Sequence, residues 1–141
     1  MDESRRDFVK TIGLVTVSAT LGLSGSLSSC AGTHVARFSV NGSRLAVGKN
    51  EFAGRAFVLV KPSTMPAPIY VRRLHENDYV AVLLECTHRQ CELNPAGEIL
   101  ACPCHGSEYS ITGEVLNPPA ETKLQRFNVT YDVEFVYVEM K

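Results

Sequence analysis

Neither sign of charge dominates this sequence. Lys and Arg total 14 against 15 Asp and Glu, a formal net charge of -1. A partner such as nucleic acid calls for a basic surface, and none is offered here. Tryptophan is absent, an absence from which nothing follows. No internal repeat occurs, and after residue 30 no segment sustains a helical period. The chain also lacks a substrate-pocket motif of its own, so any catalysis is shared with a partner. What remains is 141 residues, 45% of them hydrophobic, enough for one folded domain of ordinary size.

The first thirty residues read as an address. Ser4-Arg5-Arg6-Asp7-Phe8-Val9-Lys10 is followed by a run without charge from Thr11 to Cys30, the pattern of a signal peptide. Adjacent arginines point to the twin-arginine route, and residues 4–10 look like its S-R-R-x-F-L-K motif, with Val9 in place of Leu. The run 11–29 is barely long enough to span a bilayer. It mixes Ile12, Leu14, Val15, Val17, Ala19, Leu21, Leu23 and Leu27 with three Gly and eight Ser or Thr. Such residues weaken partition into lipid, which suits a cleaved signal better than a firm anchor. Leu27-Ser28-Ser29-Cys30 resembles a bacterial lipobox, which makes Cys30 the expected lipidation site; the other reading is an unmodified Cys30 in an uncleaved anchor. The expected organisation is a signal or anchor segment over 1–30, a short linker over 31–34 and one domain over 35–141.

That domain is expected to be all-β. Strands are predicted over 35–40, 44–47, 56–60, 69–74, 79–85, 98–101, 108–111, 123–130 and 133–139. These runs are rich in Val, Ile, Tyr and Phe, which suit a pleated, half-buried surface. Turn chemistry separates them: Asn41-Gly42, Pro66-Ala67-Pro68, Glu76-Asn77-Asp78, Asn94-Pro95-Ala96-Gly97, Thr112-Gly113 and Asn117-Pro118-Pro119. Many short strands with frequent turns make a small antiparallel sandwich or barrel.

Four of the five cysteines and two of the four histidines fall into two short segments, Cys86-Thr87-His88-Arg89-Gln90-Cys91 and Cys102-Pro103-Cys104-His105-Gly106-Ser107. Each follows a predicted strand and supplies two Cys and one His. Thiolates and imidazoles at this density imply a transition metal or an iron–sulfur centre. A plain disulfide domain leaves the matched histidines unexplained. A zinc site can take two Cys and two His, but its fingers usually space them differently. Blue copper wants a weak axial Met, and none lies nearby. In a Rieske centre two His replace two Cys on one iron, which uses one Cys and one His from each segment.

The two segments resemble the C-T-H-L-G-C and C-P-C-H-G-S boxes of respiratory Rieske proteins. The resemblance implies a Rieske-type β fold with a cluster-binding subdomain, and one 2Fe-2S cluster per chain. Cys86 and Cys102 would bind one iron, His88 and His105 the other. Cys91 and Cys104 would form a disulfide, which needs an oxidising compartment. The Ser107 and Tyr109 hydroxyls would bond a bridging sulfide and the Cys86 sulfur, raising the reduction potential. Gly106 would let the backbone approach the cluster, and Asn117–Ala120 resembles a covering proline loop or is a plain turn. Arg89-Gln90 departs from Leu-Gly in the family pattern and places a charge at the tip. His34 and His75 read as ordinary surface or linker histidines.

The implied function is one-electron transfer by a membrane-anchored Rieske protein on the extracytoplasmic side. It would be the iron–sulfur subunit of a cytochrome bc-type quinol-oxidising complex, with cytochrome b or c as redox partner. The alternative is a stand-alone lipid-anchored carrier, or the small Rieske subunit of a periplasmic oxidoreductase with a molybdopterin subunit, such as arsenite oxidase.

Overall fold

The computed structural model describes residues 32–140. The arginine pair, the uncharged run and Cys30, and with them the whole expected signal or anchor segment, lie outside the described residues. The described part is all-β, as expected, with one 3-10 turn at Lys49–Phe52. Its strands are β1 Phe38–Asn41, β2 Arg44–Gly48, β3 Phe57–Val60, β4 Ile69–His75, β5 Asp78–Leu83, β6 Asn94–Ala96, β7 Ile99–Ala101, β8 Glu108–Ser110, β9 Val115–Asn117, β10 Arg126–Phe127, β11 Val129–Tyr131 and β12 Phe135–Glu139.

They form three four-stranded antiparallel sheets, ordered β1-β2-β12-β11, β10-β5-β4-β3 and β6-β7-β8-β9. The second sheet is central, and its side-chain alternation explains the arrangement. Val58, Val60, Ile69, Val71, Ala81 and Leu83 enter one core, shared with Leu45, Val47, Val136 and Val138 of the first sheet. Leu59, Tyr70, Val80, Val82 and Leu84 alternate with them and enter a second core, shared with Leu100 and Tyr109 of the third sheet. Successive residues of a strand face opposite ways, so a strand covered on both sides reads as a continuous apolar run. Tyr70-Val71 and Val80-Ala81-Val82 therefore lack polar alternation because both neighbours are buried. A slip of one residue in β4 or β5 would exchange the two cores.

Three local expectations are corrected. Asn41 pairs with Arg44, so the β1–β2 turn is centred on Gly42-Ser43, one residue later than the Asn-Gly signal suggested. Gly42 takes φ 62 there, a conformation that costs glycine little. Asn94-Pro95-Ala96, expected as part of a turn, is strand β6, paired with β7. Residues 123–130, expected as one strand, divide into β10 on the second sheet and β11 on the first.

His34 is also more than a linker histidine. Its carbonyl accepts the Leu59 N–H at 2.9 Å, while the Ala36 N–H donates to the Leu59 carbonyl at 2.8 Å. Its Nε2 lies 2.6 Å from Glu51 Oε2, and this bond holds the Glu51 carboxyl below its ordinary range, against an opposing push from burial. The chain is thus docked on the edge of β3 from His34 onward.

A polar clamp links the second and third sheets. Arg72 on β4 donates from one Nη to the Gly97 carbonyl at 3.3 Å, and its other Nη reaches Glu98. Both partners lie in the β6–β7 turn.

Candidate metal centre

Two loops leave the third sheet's end of the second core. The first follows β5 and the second joins β7 to β8. Their backbones repeat one another. The Cys86 carbonyl accepts the Gln90 N–H at 2.7 Å, and the Cys86 N–H donates to the Cys91 carbonyl at 2.9 Å. The Cys102 carbonyl accepts the Gly106 N–H at 3.1 Å, and the Cys102 N–H donates to the Ser107 carbonyl at 2.8 Å. Each loop wraps its backbone around its leading cysteine.

The fifth residue of each loop takes a positive φ, 58° at Gln90 and 79° at Gly106. Gly106 meets this need at little cost, and the space where a Cβ would project is open. Conformation, rather than crowding by protein atoms, is what asks for glycine there. Gln90 holds the same region with a side chain, at a cost of about 1 kcal/mol. The departure from Gly in the first box is therefore a strain this loop carries.

The leading cysteines are rooted in the second core. Cys86 and Cys102 are buried and unbridged. Burial pushes the Cys86 thiol up, but the Tyr109 hydroxyl, the His88 and Arg89 amides and the Cys102 thiol together hold it below the usual thiol range. Tyr109 is fully buried, with its hydroxyl 3.4 Å from Cys86 Sγ. Its own ionisation is pushed up, first by burial and then by the bond to Cys86.

His88 and His105 are exposed at the loop tips, with ring centroids 4.9 Å apart in an edge-to-face arrangement. Cys91 and Cys104 form a disulfide across the loops, with Cα atoms 6.5 Å apart. The sulfurs of Cys91, Cys102 and Cys104 lie within 4.8 Å of one another. Two of those three are bonded together and offer no thiolate, so Cys102 is the ligand-competent member of that group.

Ser107 is the one buried polar residue of the second loop. It accepts the Ala120 N–H at 3.1 Å, and its own hydroxyl proton finds no acceptor among the described residues. Asn117 Nδ2 donates to the Gly106 carbonyl at 3.1 Å. The segment 117–120 is thus fastened to the second loop at both ends rather than being a free turn, and its Pro118–Pro119 bond is cis.

Two buried thiols beside each other, two exposed imidazoles beside each other and a buried hydroxyl proton without an acceptor suit a centre with one sulfur-ligated and one imidazole-ligated iron. Residues 36–128 match the family described as the Rieske 2Fe-2S domain. This chain belongs to that family. Its cofactor is a Rieske 2Fe-2S cluster, in which His₂ and Cys₂ divide between two irons, and it is a Rieske electron-transfer protein.

The chain is 40% identical over 55 residues to the cytochrome b6-f complex iron-sulfur subunit of Synechococcus sp. (strain WH7803), covering 38% of this chain and 31% of that one. It is 33% identical over 57 residues to the subunit of that name in Chlorobaculum tepidum, covering 39% and 32%. The match spans about a third of these relatives' length. Among solved structures, the plasma membrane Rieske protein PetC3 from Synechocystis PCC 6803 superposes with a TM-score of 0.57 at 24% identity, over 65% of this chain and 94% of that one. A carbazole 1,9a-dioxygenase complex of oxygenase and ferredoxin gives a chain with a TM-score of 0.50 at 24% identity, over 61% and 82%. These two likenesses establish the fold.

Two residues of the site had no bonding role of their own in the sequence. Thr87 sits between Cys86 and His88 and bonds Tyr109 through both its amide and its hydroxyl, each at 3.0 Å. Ala120 supplies the amide that engages Ser107. Thr87 lay inside the quoted motif, and Ala120 lay in the segment read as a covering proline loop or a plain turn; its partner, 13 residues away, had no local signal.

Proposed function

We propose that this Rieske protein binds one iron through Cys86 and Cys102 and the other through His88 and His105. It carries one electron at a time to and from the exposed histidine edge. The single observation behind this reading is the division of donors, thiols buried in the second core and imidazoles exposed at the tip. The cluster, when bound, supplies the one-electron redox couple. The chain does the rest. The core excludes water from the sulfur side, the disulfide holds the two loops together, and the histidines present an edge to a docking partner. The Tyr109 hydroxyl, within reach of Cys86 Sγ, and the Ser107 hydroxyl, which accepts from Ala120 and keeps its proton free, would donate to sulfur once the cluster is bound and so would favour the reduced state.

The partner in this reading is a cytochrome b-type quinol-oxidising complex, supported by the relatives named above. Twin-arginine export delivers the loaded domain to the extracytoplasmic face, and acyl chains on Cys30 or an uncleaved signal hold it at the membrane. Arg89, exposed at the tip in place of an apolar Leu, favours a second reading: a stand-alone lipid-anchored carrier, or the small Rieske subunit of a periplasmic oxidoreductase. Purification of the tagged protein from membranes separates the two. Co-purification of a cytochrome b subunit supports the first, and of a molybdopterin enzyme the second.

The site assignment is tested by an EPR-monitored redox titration of anaerobically isolated protein. The reduced protein should show a mean g value below that of all-thiolate clusters. Tyr109→Phe and Ser107→Ala should each lower the midpoint potential. A lost hydrogen bond of about 1 kcal/mol corresponds to about 40 mV for one electron. Unchanged potentials in both would remove their tuning role, and zinc in place of iron would overturn the ligand assignment.

A further inference from the structure

We infer that Thr87 sets the reduction potential of this site by competing with Cys86 for the hydroxyl proton of Tyr109. The inference rests on the reading above, in which Cys86 is an iron-bound thiolate.

The hydrogen bonds around one oxygen carry the case. The Tyr109 hydroxyl is within bonding distance of three atoms: the Thr87 backbone nitrogen at 3.0 Å, Thr87 Oγ1 at 3.0 Å and Cys86 Sγ at 3.4 Å. The amide can only donate, so it occupies the phenol oxygen as an acceptor. Thr87 Oγ1 lies 2.7 Å from the Thr122 carbonyl, which can only accept, so the threonine's single proton is already placed. Toward Tyr109 the threonine therefore presents lone pairs alone. A thiolate at Cys86 also only accepts. One phenolic proton thus faces two acceptors, and the oxygen is nearer than the sulfur.

The outcome matters because the two bonds have different consequences. A proton given to Cys86 sulfur stabilises the electron-rich reduced state. A proton given to Thr87 does nothing for it. The arrangement is enforced from outside the loop, because the Thr122 carbonyl keeps Thr87 in its accepting role. Thr122 continues the segment whose Ala120 amide bonds Ser107. That covering segment and the first loop are therefore coupled through Thr87.

Thr87→Val tests this in the full cluster-loaded chain. Valine keeps the amide and the side chain's shape and removes the competing oxygen. The Tyr109 proton then goes to sulfur alone. The expected result is a higher midpoint potential, with the equilibrium constant for reduction up about threefold, or about 30 mV at 59 mV per tenfold. Thr87→Ser retains the hydroxyl and should titrate with the parent. In a Tyr109→Phe background the Thr87→Val shift should vanish, since no proton remains to be shared. Where valine prevents cluster loading, Thr87→Ala carries the same expected direction. A potential unchanged or lowered by Thr87→Val, or a rise that persists without the Tyr109 hydroxyl, overturns the inference. An unchanged potential in Tyr109→Phe alone overturns instead the reading of Tyr109 on which it rests, and the inference with it.

Discussion

Cys102→Ser should purify without iron, lacking the visible absorption and the reduced-state EPR signal of the parent, while its far-ultraviolet circular dichroism stays β-rich. Cys102 is buried, unbridged and packed with Leu100, Leu84 and Tyr109 in the second core. Serine is smaller there and its hydroxyl does not ionise to an anion in the way a thiol does, so the site loses a thiolate that soft iron–sulfur chemistry requires. The sheets flanking the loop are held by ladders that do not involve its sulfur, which is why the fold should persist. The informative control is Cys91→Ala paired with Cys104→Ala. The same crowding of sulfur surrounds those residues, yet they are bonded to each other, and the paired variant should still load iron. Full iron content in Cys102→Ser, with loss in the Cys91 and Cys104 variant, would reverse the assignment of ligands and bridge.

The sequence announced the chemistry of this domain more clearly than its layering. The two Cys/His segments stood out because soft ligands at that density have few uses, and the Rieske boxes placed a pairing on Cys91 and Cys104 that the structure contains. Strand existence was legible wherever Val, Ile and Tyr clustered between turn residues. Strand assignment to sheets was not. Whether Arg126-Phe127 and Val129-Thr130-Tyr131 lie in one sheet or two depends on a change of partner from β5 to β12, and no property of those residues encodes their partners. Asn94-Pro95-Ala96 misled because Pro cannot donate to a ladder and so signals a turn; β6 is an edge strand, where that deficiency is tolerated. The docking of His34 on Glu51 spans 17 residues and has no periodic signature. At the site itself the metal-binding residue types were visible, whereas Thr87 gained a role only from the placement of the Thr122 carbonyl, 35 residues away.

Removal of the disulfide is expected to have the largest effect on stability. In Cys91→Ala with Cys104→Ala, the unfolding free energy should fall by about 3 kcal/mol, the chain-entropy value for closing a loop of this size. For a domain near 100 residues each kcal/mol moves Tm by about 4–8 °C, so a fall of more than 10 °C or so is expected. The bridge joins residues 13 apart and spans both cluster loops, while both leading cysteines belong to the second core. The cost should therefore appear first as faster cluster loss. Gln90 adds to this, because its positive φ stores strain in the loop that the bridge restrains. Thermal melts followed at once by visible absorption and by far-ultraviolet circular dichroism would measure both. In the parent the two transitions should nearly coincide; in the variant the visible transition should come first. Adding a thiol reductant should bring the parent toward the variant's melting curve and leave the variant unmoved. If the variant melts with the parent under oxidising conditions, the bridge is dispensable for holding the loops, and the two cores alone are sufficient to position the metal site.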